Sequence, residues 1–284
     1  MTTVRGSCLC GDVAWEVDGP LDLMSHCHCS RCRKSHGAAF ATYLMTVEGA
    51  LRFIRGEDRR VRYASSPGLF RPFCGRCGGV VPDGVPWEGH VGIPVGPLDD
   101  DPGVRPLAHI FVASKAPWFE LADDLPRFDT YPDGFGMTAL DELPARQPAG
   151  GLPRGSCLCG AVAYEVTGKV LRTMNCHCTR CRKARGAAHA SNLFTDALRF
   201  TRGEGELASY KVPEARFFMQ VFCRTCGSPM PRVDPERSFA VVPMGSLDDD
   251  PGARPEGHIF VGSMAPWYRI TDALPQYEEA APAR

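Results

Sequence analysis

RGSCLCGDVAWEVDG, residues 5–19, returns at 154–168 as RGSCLCGAVAYEVTG, an offset of 149 residues. The same offset carries CHCSRCRK (27–34) onto CHCTRCRK (176–183), FCGRCG (73–78) onto FCRTCG (222–227), LDDDPG (98–103) onto LDDDPG (247–252), and HIFVASKAPWF (109–119) onto HIFVGSMAPWY (258–268). Between these motifs a repeat without insertion or deletion is expected, and the 14 cysteines of the 284-residue chain fall into two equivalent sets. Self-similarity of this kind marks a duplicated unit. It predicts two domains, 1–132 and 153–284, each large enough to bury its own core,. The connecting stretch, 133–152, is rich in Pro, Gly and Ala and reads as a linker, with a short helical turn expected near 138–143,. Duplicated domains often pack as the covalent equivalent of a two-fold dimer, and that packing is expected here.

Within each unit the apolar runs are short and strand-like. DVAWEV (12–17) alternates, AAFATYLMTV (38–47) and LRFIRG (51–56) are rich in β-branched and aromatic residues, and Gly or Pro stands at nearly every junction,. The best helical candidate is one short turn carrying RCRK, with Ser30 or Thr179 as its cap and Gly37 or Gly186 as its stop,. The fold class predicted is mainly β, in two tandem copies.

Net charge is −1 with acids and bases mixed, which lacks the basic footprint of a nucleic-acid binder and argues for small partners,. No apolar stretch of signal-peptide length follows Met1 and no run of eighteen apolar residues occurs, so a cytoplasmic protein without membrane association is expected,. In a reducing compartment, clustered cysteines point to metal rather than disulfides.

The seven cysteines of each unit sort by spacing. Cys74 and Cys77 form a knuckle, two residues between the thiols and a Gly78 free to take the tight turn,. Cys8 and Cys10 complete a closed four-thiolate zinc site with it; Cys157, Cys159, Cys223 and Cys226 are the second copy,. That leaves Cys27, Cys29 and Cys32, and in the second copy Cys176, Cys178 and Cys181. Three thiolates would hold a second zinc whose fourth position stays open to water or substrate, the mark of a catalytic site. The expectation is two zinc ions per repeat and four per chain. Other readings of the trio are a closed structural site completed by a histidine, His28 or His26, and a redox thiol group. Against His26, its counterpart is Asn175; His28 is matched by His177.

Together GSCLCGDV, CHCSRCRKSHG, FCGRCGG and HIFVASKAPW, in this order, resemble the glutathione-dependent formaldehyde-activating enzyme family, whose domain is shared with centromere protein V. The tail SKAPWFELADDLPRF (114–128) is similar to the family's C-terminal signature. The resemblance implies a zinc-stapled β architecture of the Mss4-like or β-tent kind, a structural four-cysteine zinc and a second zinc at the trio. It also implies an activity, the condensation of formaldehyde with glutathione to S-(hydroxymethyl)glutathione, classed in reverse as a carbon-sulfur lyase. The competing function is a non-catalytic zinc-binding interaction module or glutathione carrier; a concave pocket at the trio would favour the enzyme, a flat patch the module.

Arg31, Arg33 and Lys34, with Arg180, Arg182 and Lys183, share the turn with the trio and are candidate contacts for the carboxylates of glutathione,. LDDDPG reads as a solvated surface turn. His109 and His258 are expected to be structural, and Trp118 and Trp267 to pack the core edge. The copies differ near the trio: His36 becomes Arg185 and Phe40 becomes His189, so His189 is a candidate either to lend a proton or to occupy the second trio's open position, the alternative being a harmless strand substitution,.

Overall fold

The computed structural model describes residues 3–87, 89–134, 139, 143, 151–234 and 236–282; the helical turn expected near 138–143 lies outside them apart from Ala139 and Leu143. The protein is mainly β, as expected. In repeat one the alternation of DVAWEV places Ala14–Val17 between Val4–Ser7 and Leu51–Arg55 in a three-stranded antiparallel sheet. Trp15 and Val17 turn into the core while Glu16 faces outward to Arg52,. A second sheet runs in the order His90–Pro94, Ala41–Val47, Leu23–Cys27, Ala108–Ile110, with the last strand parallel to its neighbour. A hairpin, Arg60–Ser66 with Leu69–Cys74, delivers the first knuckle cysteine.

Repeat two repeats this plan, but not without gaps as expected: Leu51–Arg55 answers to Leu198–Arg202 at an offset of 147, so two residues are lost before that strand and regained in the hairpin turn before Met219. Arg154–Ser156, Ala163–Val166 and Leu198–Arg202 form the small sheet, and Leu207–Lys211 with Met219–Cys223 the hairpin. Its larger sheet gains two edge strands, giving the order Arg232–Asp234, Phe239–Pro243, Ala190–Thr195, Val170–Cys176, His258–Ile259, Gln276–Tyr277.

Two seven-residue helices follow the strands that end in Cys27 and Cys176: α1 (Ser30–His36) and α2 (Thr179–Arg185). Gly37 and Gly186 end them at φ 58° and 64°, the left-handed conformation that glycine adopts without strain,. The N-caps lie one residue earlier than Ser30 and Thr179. The backbone is still extended at Cys29 and Cys178, and their sulfurs, not the hydroxyls, accept from the amides of Cys32 and Cys181 at 3.3 and 3.4 Å. Among the described residues no helix is long and apolar enough to cross a membrane.

Contacts between the halves are reciprocal. Lys34 Nζ donates to the Ser156 carbonyl and hydroxyl and to Asp248 Oδ1 at 2.8, 3.0 and 2.5 Å. Its counterpart Lys183 donates to the Ser7 carbonyl and hydroxyl and to Asp99 Oδ1 at 3.3, 2.6 and 2.5 Å. Backbones also touch: a Cβ at Gly96 would lie 2.3 Å from the Ala187 amide nitrogen, and one at Gly245 would lie 2.3 Å from that of Ala38. The LDDDPG segments are exposed at Asp99, Asp101 and Asp250, as expected of a surface turn, but Asp248 and Asp249 are covered. One acid in each, Asp99 and Asp248, meets a lysine of the other repeat, 84 and 214 residues away in sequence, and the side chain of Asp248 is 6% exposed.

Candidate metal centres

The closed sites assemble as the spacing requires. Cys8, Cys10, Cys74 and Cys77 converge, as do Cys157, Cys159, Cys223 and Cys226, the sulfurs of each group lying within 4.8 Å of one another. Cys8 to Cys10 is 3.5 Å and Cys10 to Cys74 is 3.7 Å; in the second copy Cys157 to Cys159 is 3.4 Å and Cys159 to Cys223 is 3.7 Å. A tetrahedron with Zn–S near 2.3 Å has edges of about 3.8 Å, so the donor set fits zinc in both kind and spacing. Gly78 and Gly227 turn the knuckles at φ 67° and 71°. Hydrogen bonds among the crowded thiols pull Cys8 and Cys74 below the ordinary thiol range and push Cys10 and Cys77 above it. A bound cation removes that conflict by stabilising all four as thiolates.

The trios lie where a strand of the larger sheet turns into α1 or α2. Cys27, Cys29 and Cys32 meet within 4.8 Å, as do Cys176, Cys178 and Cys181; no fourth His, Cys, Asp or Glu joins either group among the described residues. The donor set suits three of zinc's four positions. In repeat one the Cys27 and Cys29 thiols, with help from Arg71, hold Cys32 well below the usual thiol range. In repeat two Cys178 is lowered to about 3 by Cys176 and Cys181.

The histidines point elsewhere. His28, between two trio cysteines, turns its Nε2 to His109 Nδ1 at 2.8 Å, and His109 Nε2 meets the Asp123 carboxylate at 3.0 Å. The second copy runs His177, His258, Asp272 at 2.8 and then 3.0–3.1 Å. Burial lowers His28 well below its usual pKa and His177 to about 3, so both rings are neutral near pH 7,. Each chain ties its trio loop to the neighbouring strand and to the C-terminal segment after the APW motif. His26 donates to or accepts from Thr42 Oγ1 at 2.9 Å, away from the trio. His189 also stays clear of its trio: it packs tilted or edge-on against His177, Tyr268 and Phe40, with centroids 5.2, 5.6 and 5.5 Å away.

A cavity of about 170 Å³ opens beside the trio of repeat one. Cys27, Cys32, Ser35, Tyr43 and Arg71 line it together with Trp87 and Tyr131, and Cys226 and Gly227 of the other repeat's knuckle complete it. Arg71 Nη1 lies 3.5 Å from Cys32 Sγ and 3.4 Å from Ser35 Oγ. Burial would discharge this guanidinium, but Cys32, Tyr43 and Cys29 outweigh it and keep its pKa above normal. His36 Nε2 meets the Tyr43 hydroxyl at 2.9 Å, and burial lowers His36 to about 3, so the ring beside the phenol is neutral.

None of the six basic residues singled out from sequence lines this cavity. Lys34 and Lys183 hold the other repeat, Arg182 reaches the Gly96 carbonyl at 3.5 Å, Arg180 lies 6.0 Å over the Phe218 ring, and Arg31 and Arg33 have their Nε atoms buried. The cation beside the thiols is Arg71, which sits on the hairpin 39 residues from Cys32. Its pairing with the trio has no spacing signature, and its counterpart Gln220 broke the repeat pattern that would have drawn attention to it.

Comparison with curated proteins finds no match. Among solved structures, the crystal structure of a Rhodobacter sphaeroides protein, a structural genomics target, is 28% identical; the match covers 36% of this chain and 97% of that one, with a TM-score of 0.27. The sequence model described as glutathione-dependent formaldehyde-activating enzyme matches twice, over residues 3–114 and 152–263. Both matched stretches contain all seven cysteines of their repeat. Carrying that family's sequence twice, with the thiols of each copy gathered into a group of four and a group of three, the chain belongs to the glutathione-dependent formaldehyde-activating enzyme family.

Proposed function

We propose that the protein is a zinc enzyme that joins glutathione to formaldehyde or a related small aldehyde, giving S-(hydroxymethyl)glutathione, and that runs the carbon-sulfur lyase reaction in reverse. The observation that carries this reading is the cavity that Cys27 and Cys32 line. A concave site lined by aromatic groups and one buried cation suits a small ligand, whereas an interaction module would present its trio on a flat face. Zinc held by Cys27, Cys29 and Cys32 would lower the pKa of an incoming thiol and so supply a thiolate at neutral pH.

The chain's own residues account for the rest. In the addition the sulfur–carbon bond forms as the carbonyl π bond breaks, and the thiol proton ends on the aldehyde oxygen. Arg71 offsets the negative charge gathered on the thiolates, and Tyr43, a hydroxyl donor in the cavity lining, is the group we assign to meet the developing alkoxide,. His36 orients that hydroxyl. The His28, His109, Asp123 chain fixes the loop that carries the trio. We place repeat two's Cys176, Cys178 and Cys181 in the same metal-binding role. We also read 1–132 and 153–284 as the domains and 133–152 as the linker, packed as a covalent pseudo-dimer in a cytoplasmic setting. The reciprocal lysine–aspartate contacts support that packing.

Because glutathione adds to formaldehyde unaided, the test is acceleration over that background. Exchange spectroscopy of the thiol–hemithioacetal equilibrium should show faster exchange with the zinc-loaded chain, and Cys29→Ser should return the rate to background. Tyr43→Phe should lower the catalysed rate by roughly ten- to a hundredfold, the scale of a lost general acid. A zinc-loaded protein that leaves the exchange rate at background would refute the enzymatic reading.

A further inference from the structure

The two trios have equivalent ligands, but the space in front of them differs. Comparing the cavity lining of repeat one with repeat two, Ser25 becomes Met174, Met45 becomes Phe194, His90 becomes Phe239, Gly92 becomes Val241, and the turn at Gly68 becomes a longer one carrying Phe217, while Trp87 and Tyr131 become Glu236 and Ala280. The first four changes and the new turn each put a larger apolar side chain where repeat one has a smaller one. In repeat two the new groups pack on one another. The Arg237 guanidinium stacks between the Phe217 ring at 4.2 Å and the Phe239 ring at 4.7 Å. Phe239 in turn meets Phe194 edge to face at 5.7 Å. Asp234 holds Arg237 through two contacts, at 2.6 and 2.8 Å, and Arg232 Nη1 donates to the Phe217 carbonyl at 2.5 Å. Phe218, the counterpart of Leu69, packs on the buried trio itself. Stacked cation–aromatic contacts of this kind, pinned by an ion pair, form a plug rather than a loose rim.

The polar groups around the cavity have changed as well. Arg71, Tyr43 and His36 of repeat one are Gln220, Asn192 and Arg185 in repeat two. Gln220 is 1% exposed with its Nε2 unpartnered, and Asn192 Oδ1 is likewise buried without a partner. The phenol we assign as proton donor therefore has no equivalent there.

We propose that the repeats have divided their labour. Repeat one carries the trio that opens on a cavity, and in repeat two the Phe217, Arg237, Phe239 stack fills the corresponding space, the cysteines of the two trios being buried alike. The ligand that repeat one admits is a thiol, in keeping with the function proposed above, on which this inference rests. Repeat two then serves as a fixed wall, since its Cys226 and Gly227 border the working cavity.

Calorimetric titration of the zinc-loaded full chain tests this, with glutathione and 2-mercaptoethanol as separate probes. One molecule of thiol should bind per chain. Cys29→Ser should abolish binding, and Cys178→Ser should leave affinity within about twofold. Phe217→Gly combined with Arg237→Ala should raise the stoichiometry from one to two; Phe217 is 46% exposed, so that variant should fold. A wild-type stoichiometry of two, or loss of binding in Cys178→Ser as complete as in Cys29→Ser, would overturn the proposal. So would a plug variant that still binds one thiol. One-site binding of 2-mercaptoethanol without glutathione would uphold the division of labour while removing glutathione as the substrate; a chain that binds neither would sink both readings.

Discussion

Cys74→Ser should leave repeat one without its tertiary structure, while Cys29→Ser should leave the fold largely intact. Both remove a single sulfur from a proposed zinc site, yet the two sites relate differently to the core. Cys74 is fully buried and joins the N-terminal pair at Cys8 and Cys10 to the hairpin, contacts 64 residues apart in sequence. Structural zinc contributes roughly 10–16 kcal/mol of apparent binding free energy in small zinc domains, as large as the whole stability of an ordinary domain. Losing one of four ligands therefore removes a decisive share of the folding free energy. Cys29 lies at a strand-to-helix turn, and its second role is to cap α1 by accepting from the Cys32 amide. Serine is among the preferred residues for that role, so the cap survives the substitution. Circular dichroism with thermal melting of the zinc-loaded variants checks this, and equal losses in the two would contradict the division into structural and functional sites.

The second large effect is expected from Lys34→Met. The ammonium group of Lys34 lies between the repeats against Asp248, with side-chain exposures of 11% and 6%. Removing it takes the nearest cation from a buried carboxylate that keeps the Ser156 hydroxyl and the more distant charge of Arg154, a loss of up to about 3–5 kcal/mol,. Adding Asp248→Asn should recover much of that loss, because the uncompensated charge is then gone. Lys183→Met should cost less, since its partner Asp99 is 38% exposed and water can take over part of the interaction,. Urea denaturation reads these differences. A Lys34→Met midpoint equal to that of the wild type would show that the contact between the repeats carries no stability.

How much of this was legible in the sequence depends on the range of each interaction. The cysteine groups were, because two-residue spacings restrict where neighbouring sulfurs can go and the duplication supplied an independent copy of each set. The helix stops at Gly37 and Gly186 were also readable, being local conformational requirements. The helix caps were displaced by one residue because a cysteine sulfur took the position a hydroxyl was expected to fill. What the sequence hid are pairings made only by tertiary approach. His109 with Asp123 and Lys34 with Asp248 obey no period, and an aspartate in a Pro-Gly segment looks solvated until the other repeat covers it. One signal was present: His28, His109 and Asp123, like Lys34, recur at the same offset in repeat two. Polar residues kept through a duplication whose neighbours have diverged are candidates for burial. Arg71 and the Phe217 plug lacked even that signal, because they are the positions at which the copies differ.

The central claim is that each repeat pairs a closed four-thiolate zinc site with a three-thiolate one. Native mass spectrometry of the chain after reconstitution with zinc tests it most directly. The account predicts four ions per chain, two of them lost first on stepwise chelation because three protein ligands hold a metal less tightly than four. Cys29→Ser and Cys178→Ser should each reduce the fully loaded count to three. A wild-type chain that saturates at two ions, with both single variants still holding two, would show that the trios bind no metal and would contradict the account.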